Sequence, residues 1–282
     1  MKALVDLIKQ KDTCVCVGLD PVIDSFPDEI RCSAQSVEEK LVTFSQGIVE
    51  SVAPHAVAIK PQIAFFEQYG LGGLRALKEI GSIIRDAGLF LVMDAKRGDI
   101  GSTAEAYAKA FFSREGDFFS DALTVNGYLG SDGIFPFYEA ARNTQGGVFV
   151  LVKTSNPSSS QLQDLRVEGQ PVYEKMVEVL DYVEQPDEFN TLGAVAGATH
   201  PAELKKLRKR MPKRMFLIPG YGAQGGMASD LQGAFGEDGC RAIVNSSRGI
   251  LYAYKKSHLP WKEASRAAAL EMKEAINAVR YK

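Results

Sequence analysis

The sequence predicts an α/β protein, an eight-stranded parallel (β/α)8 or TIM barrel in one domain over residues 1–282. Three observations predict it. Eight short apolar runs alternate with longer stretches of helical character, no linker or shift in composition divides the chain, and several runs end in a charge or a glycine cluster. A doubly wound open sheet is the alternative closure of the same pattern.

The elements follow in order. Residues 3–11 read as a leading helix, and Cys14-Val15-Cys16-Val17-Gly18-Leu19-Asp20-Pro21 as strand one, with Pro21 keeping Asp20 out of the helical region. Ser36-x-x-Glu39 has the spacing of a capping box and opens a helix to about residue 52. Strand two, 56–61, ends at Lys60, and a helix over about 67–87 leads to strand three, 89–93. Strands four and five are 122–126 and 148–153. The serine-rich segment 154–169 lacks apolar periodicity, and loops of that length in compact domains are usually functional or disordered. A helix over 171–183, strand six at 192–197, and a helix capped by Thr199-His200-Pro201 come next. Strand seven (215–218), strand eight (242–245) and a terminal helix over 261–279 complete eight strand–helix units.

The chemistry concentrates after strand three, in Asp94-Ala95-Lys96-Arg97-Gly98-Asp99. Side chains two apart on a strand share a face, so Asp94 and Lys96 emerge together at its C-terminal end. Gly98 is expected to turn the chain, and Ser102-x-x-Glu105 to cap the next helix. A strand that ends in charge and feeds a helix is where α/β proteins place their active sites, whereas an isolated D-x-K reads equally well as a surface ion pair.

Two stretches suit a phosphate. Pro219-Gly220-Tyr221-Gly222-Ala223-Gln224-Gly225-Gly226 follows strand seven, and its glycines let backbone N–H groups approach an anion. Ser246-Ser247-Arg248-Gly249 follows strand eight where a helix starts, which sets Arg248 beside free amide donors. Barrels often hold phosphate between these two loops; the plain alternative is two ordinary turns and a surface arginine.

A net charge of −2 argues against nucleic acid as a partner. No run reaches the roughly 18 apolar residues that a membrane span requires. Asp6 and Lys9 interrupt what would be a signal core, so export is not expected. Cys14, Cys16, Cys32 and Cys240 show neither zinc-ligand spacing nor a disulfide framework, which points to reducing cytoplasm, with Cys14 and Cys16 as small core residues. Three histidines in no ligand pattern predict no metal.

Across nearly its whole length the chain resembles the orotidine 5′-monophosphate decarboxylases. The resemblance rests on Asp94-x-Lys96-x-x-Asp99 with Ile100 and Thr103, Gly18-Leu19-Asp20-Pro21, Ile59-Lys60-Pro61, Thr154-Ser155-Asn156-Pro157, the glycine-rich stretch at 219–226 and Ser247-Arg248. The Lys96-Arg97-Gly98-Asp99 wording suits the family's longer bacterial subgroup, and Gly127 departs from the proline expected after Asn126. The resemblance implies decarboxylation of orotidine 5′-monophosphate to UMP and CO2, the last step of de novo UMP synthesis, without metal or organic cofactor. It implies Lys96 as proton donor in a catalytic array with Asp94, Asp99 and Lys60. It further implies that Asp20 and Lys60 bind ribose with help from Thr103, that Ser155 reads the pyrimidine, and that Gln224 and Arg248 hold the phosphate. Segment 154–169 would supply part of a lid. A homodimer is also implied, with Asp99 and Thr103 crossing into the partner's site.

Each residue has a plainer reading: Ser155 as a turn starter, Lys60 as a structural partner of Asp94, Asp20 as a turn acid. Asn126 is left unassigned. Two rival functions remain at this stage. One is a magnesium-dependent sugar-phosphate decarboxylase or aldolase, which has no use for Lys60 and Ser155. The other is a catalytically silent nucleotide-binding protein, which does not need four alternating charges.

Overall fold

The computed structural model describes every residue except Ala223, Gln224 and Lys282. Helix α1 (Lys2–Lys11) precedes β1 (Val15–Leu19), followed by α2 (Asp28–Arg31), α3 (Val37–Val52) and β2 (Ala58–Pro61). Next come α4 (Ala64–Glu67), α5 (Gly70–Asp86), β3 (Phe90–Arg97), α6 (Gly101–Phe112) and β4 (Ala122–Val125). After α7 (Phe135–Asn143) and β5 (Gly147–Lys153), a small hairpin of β6 (Arg166–Val167) and β7 (Gln170–Pro171) leads to α8 (Val172–Val183). The chain ends with β8 (Leu192–Ala196), α9 (Pro201–Arg210), β9 (Phe216–Ile218), β10 (Ala242–Ser246), α10 (Arg248–Leu251) and α11 (Trp261–Asn277).

Eight strands close a barrel in the order β1-β10-β9-β8-β5-β4-β3-β2. Its neighbours pair in parallel throughout. This is the predicted (β/α)8 architecture, with predicted strands six to eight appearing as β8, β9 and β10. Strands β1, β2, β4, β8, β9 and β10 are buried along their full length, as expected when helices cover the outside of a barrel and side chains fill its interior. Among the described residues, no helix is long and apolar enough to cross a membrane.

Local expectations fare unevenly. The capping box of α3 forms: Ser36 accepts from the Glu39 amide while Glu39 accepts from the Ser36 amide. That of α6 does not, because the helix begins at Gly101 in a left-handed conformation, leaving Ile100 as the uncapped N-terminal residue and Ser102 inside the first turn. The chain therefore turns at Gly101, and Gly98 lies against the Asn126 carbonyl instead. Pro201 does open α9, but the Thr199 hydroxyl donates to the Ser155 carbonyl (3.4 Å) and caps nothing. The seventh unit is not a strand–helix pair: the described residues between β9 and β10 form only a 3-10 turn, Ala228–Leu231. Glycines at 220, 222, 225, 226, 233, 236 and 239 explain this, since each disfavours a helix interior. Gly127, the departure from the expected proline, sits where a Cβ would come within 2.7 Å of the Met176 sulfur.

The N-terminal end of the barrel is fastened by buried arginines. Arg214, whose side chain is 1% exposed, pairs with Asp181 and Glu184. It also donates to the carbonyls of Glu184 and Leu192, while Glu184 accepts from the Thr191 and Leu192 amides and so pins the start of β8. Removing one partner of such a network strands the others without water. The Arg214→Leu variant is therefore expected to lose about 3–5 kcal/mol of stability, measured by urea unfolding as a lower midpoint at unchanged slope.

Candidate active site

The site is built on an irregularity of β3. Against β4, the pairing runs Val92 to Ala122 and Met93 to Leu123, then resumes only at Arg97 to Val125. Four steps along β3 thus face two along β4, so Asp94, Ala95 and Lys96 span a bulge. Lys96 has φ +45°, in the left-handed region that a non-glycine residue rarely enters. Asp94 and Lys96 do converge, but through this bulge and not through the alternation of a regular strand.

Asp94 is 6% exposed and lies between two ammonium groups. Its Oδ2 accepts from Lys60 Nζ at 2.6 Å, and its Oδ1 accepts from Lys96 Nζ at 2.7 Å. Oδ1 also accepts from the Thr124 hydroxyl at 2.8 Å, and that hydroxyl accepts in turn from the Lys96 amide at 3.0 Å. Lys60, from β2, is as deeply buried as Asp94, whereas about half of the Lys96 side chain is exposed to the cavity mouth.

Burial by itself would neutralise these groups. It works against the Asp94 carboxylate, but the charges and hydrogen bonds of Lys60 and Lys96 outweigh it and hold the pKa well below the usual carboxylate range. Burial likewise works against the Lys60 ammonium, and Asp94 and Asp20 together hold its pKa above that of an ordinary lysine. Cys16, behind this pair, is pushed up to about 12 by burial and remains a neutral core thiol.

Lys60, Asp94, Lys96, Thr124 and Ser155 line one cavity of about 570 Å³ at the C-terminal mouth of the barrel. Its remaining wall is largely apolar, including Leu151, Val152, Met176, Val195 and Leu217. Gln163 also lines it, and clamps Thr154 by accepting from its amide (2.9 Å) and donating to its hydroxyl (2.8 Å). Gly197 is tight against Ser155, since a Cβ there would stand 3.0 Å from its backbone.

Asp20 lies at the end of β1, close enough to Lys60 to act on its charge, and its buried Oδ1 has no hydrogen-bond partner among the described residues. The Tyr252 hydroxyl fixes that turn by donating to the Asp20 carbonyl (3.2 Å) and accepting from the Val22 amide (2.8 Å). Stacking of Phe44 on Tyr252, Phe26 and Trp261 supports it from behind. Asn126 reaches the cavity as well. Asp99 and Thr103 do not: Asp99 turns its Oδ1 to the Ile100 amide, and Thr103 is exposed on α6. Arg248 is the exposed first residue of α10, at the mouth of β10. Gln224 lies outside the described residues; around it, Gly220 and Gly225 adopt left-handed conformations, and Gly226 packs so closely on the Gly220 carbonyl that a Cβ would come within 2.8 Å.

Thr124, Gln163 and Tyr252 were not singled out by the sequence. Thr124 carries no signal there because its role depends on the bulge in the neighbouring strand.

A parallel barrel with a buried, alternating charge array in a cavity at its C-terminal mouth has the architecture of a barrel enzyme. The family model for orotidine 5′-phosphate decarboxylase / HUMPS matches residues 13–258. The orotidine 5′-phosphate decarboxylase of Rhodopirellula baltica is 42% identical over 289 residues, covering 95% of this chain and 96% of that protein. That of Deinococcus radiodurans is 39% identical, covering 98% and 96%. The structure of Leishmania donovani OMP decarboxylase superimposes with a TM-score of 0.80 at 35% identity, covering 99% of both chains. The chain belongs to the orotidine 5′-phosphate decarboxylase / HUMPS family.

The depressed Asp94 pKa has a definite sign in stability. A carboxylate held below its unfolded value stabilises the fold above that value and ceases to do so as pH falls through the folded one. The stability gap between wild type and Asp94→Asn is therefore expected to be flat from about pH 7 to 5 and to close below about pH 4. Denaturant unfolding across that range measures it.

Proposed function

We propose that this protein removes CO2 from orotidine 5′-monophosphate to give UMP, in pyrimidine nucleotide synthesis. The observation that carries the reading is the Asp94 carboxylate locked between Lys60 and Lys96 with its charge state fixed. Cleavage of the C6–carboxylate bond leaves the electron pair in an in-plane orbital that the pyrimidine ring does not delocalise well. Charge placed beforehand beside C6 is then the available stabilisation, and it costs no reorganisation during the reaction. Lys96 supplies that charge and gives its proton to C6 as CO2 departs. Asp94 orients the Lys96 amine through its Oδ1 and disfavours the substrate carboxylate beside it. No metal or organic cofactor takes part. Ammonium groups sit on both oxygens of Asp94, a cationic setting that favours this reading over magnesium-assisted enediolate chemistry, where a carboxylate must turn to the metal.

The rest of the substrate follows the cavity. Asp20 and Lys60 take ribose hydroxyls, and the unpaired Oδ1 of Asp20 supports this. Ser155 reads the pyrimidine, and the phosphate lies between the glycine-rich loop at 219–226 with Gln224 and Arg248 at the start of α10. Segment 154–169 covers the base, so that binding energy from the phosphate completes the site.

The protein acts as a homodimer in which Asp99 and Thr103 enter the partner's site. Two observations support this. Asp99 does not line its own chain's cavity, and the surface beside it exposes Ile100, Leu129, Phe135 and Tyr182, at 55%, 49%, 46% and 80%. Contiguous apolar exposure of this kind marks an interface.

Ultraviolet absorbance follows the reaction directly in metal-free buffer with EDTA. Wild type is expected to turn over orotidine 5′-monophosphate, and Lys96→Ala to lose at least about 10³-fold in kcat while still binding UMP. Near-normal turnover in that variant would reject Lys96 as proton donor, and EDTA-sensitive turnover of a pentulose phosphate instead would favour the enediolate chemistry. Mixing inactive Lys96→Ala and Asp99→Ala subunits should restore about a quarter of wild-type activity, because each mixed dimer of a two-fold pair keeps one complete site. No recovery after subunit exchange would place Asp99 in its own chain's site.

A further inference from the structure

We infer that Thr124 is a positioning residue for the decarboxylation: its hydroxyl closes the bulge of β3 and so sets the Lys96 amine and the Asp94 carboxylate in one geometry. The inference rests on the roles proposed above for those two residues, and its geometry is independent of them.

The bulge takes Lys96 out of the ladder between β3 and β4, so its amide has no strand partner there. Thr124 fills that place with a side chain. Its Oγ1 accepts from the Lys96 amide at 3.0 Å and donates its one proton to Asp94 Oδ1 at 2.8 Å. The same Oδ1 accepts from Lys96 Nζ at 2.7 Å. The bonds thus form a closed circuit that leaves Lys96 through its backbone and returns to it through its side chain. Two quantities become fixed together: the left-handed φ of +45° at Lys96, and the rotation of the carboxylate that orients the amine. A left-handed lysine is strained, and it persists only where its surroundings over-determine it. Thr124 is 1% exposed, so a residue of the same shape without the hydroxyl takes from the Lys96 amide the acceptor it has here.

A purely structural threonine would contribute through its volume, and a positioning one through its hydroxyl. Valine keeps the shape and removes both bonds, whereas serine keeps both bonds and removes a methyl group. Thr124→Val is expected to lower kcat about 10- to 100-fold with KM and UMP affinity within about threefold, and Thr124→Ser to return kcat to within about threefold of wild type. Wild-type kcat in Thr124→Val would overturn the inference. So would a serine variant as slow as the valine one, or a loss of activity that matches a loss of folded protein. Hydrogen exchange at the Lys96 amide reads the bond without turnover. Protection should fall in Thr124→Val and remain in Thr124→Ser, and equal exchange in all three proteins would overturn the inference. Should wild type release no CO2 from orotidine 5′-monophosphate, the proposed function fails, and the exchange result still decides the role of Thr124 in setting this geometry.

Discussion

A carboxylate held between two ammonium groups is the constraint on which the rest of this site depends. Burying any one of Lys60, Asp94 and Lys96 alone would cost several kcal/mol, and burying the first two as an isolated pair would at best break even. The array persists because Lys96 and Thr124 both donate to Asp94 Oδ1 while Lys60 holds Oδ2, and because Lys60 and Thr124 project from β2 and β4, the two strands that flank β3 and cannot separate from it without opening the sheet. Charges fixed in this way need no solvent rearrangement when a reaction creates new charge beside them.

The two ends of the barrel divide the labour. At the C-terminal mouth, the structure tolerates a bulge, a left-handed lysine and an unpaired buried oxygen on Asp20, all unfavourable locally. At the opposite end, buried arginines stitch the chain. Arg208 donates to the carbonyls of Ala234, Met211, Arg214 and Arg241 and stacks on Phe216 at 3.7 Å, although burial pulls its pKa down to about 9. Together with Arg214 it ties down the approaches to β9 and β10. Among the described residues the connection between those strands lacks an α-helix, so the glycine-rich loop above is secured from below.

The barrel was legible in the sequence because each strand is a short apolar run, and burial on both faces demands such a run. The capping box of α3 was equally legible, being a local contact between Ser36 and Glu39. The same spacing at Ser102 and Glu105 misled, since the bulge in β3 delays the turn to Gly101 and moves the helix start with it. Lys60, Asp94 and Lys96 stood out because charged residues at strand ends are conspicuous, and Ser155 only through the family resemblance; the structure brings all four to one cavity. Thr124 was not, because a threonine inside a strand is ordinary and only the irregularity opposite gives it work. The glycine cluster after β9 suggested a phosphate loop, and what the structure shows of those glycines is the loss of the helix that a regular eightfold pattern requires.

The segment after β5 shows how a long polar stretch acquires order without apolar periodicity. Lys153, 1% exposed at the end of β5, has its carboxylate partner, Asp164, on that segment at 2.6 Å. Ser159 and the Tyr173 ring complete its surroundings, and Gln163 bridges back to Thr154. A buried ammonium that loses its carboxylate is costly, so undocking the segment is opposed by the desolvated lysine it would leave behind. The opposing charge belongs to the barrel strand and the neutralising one to the segment. Order over the cavity is therefore imposed by the scaffold, and the polar composition that hid the segment from sequence patterning is what allows it to be held by ion pairs, one of them to a buried lysine, and a few hydrogen bonds.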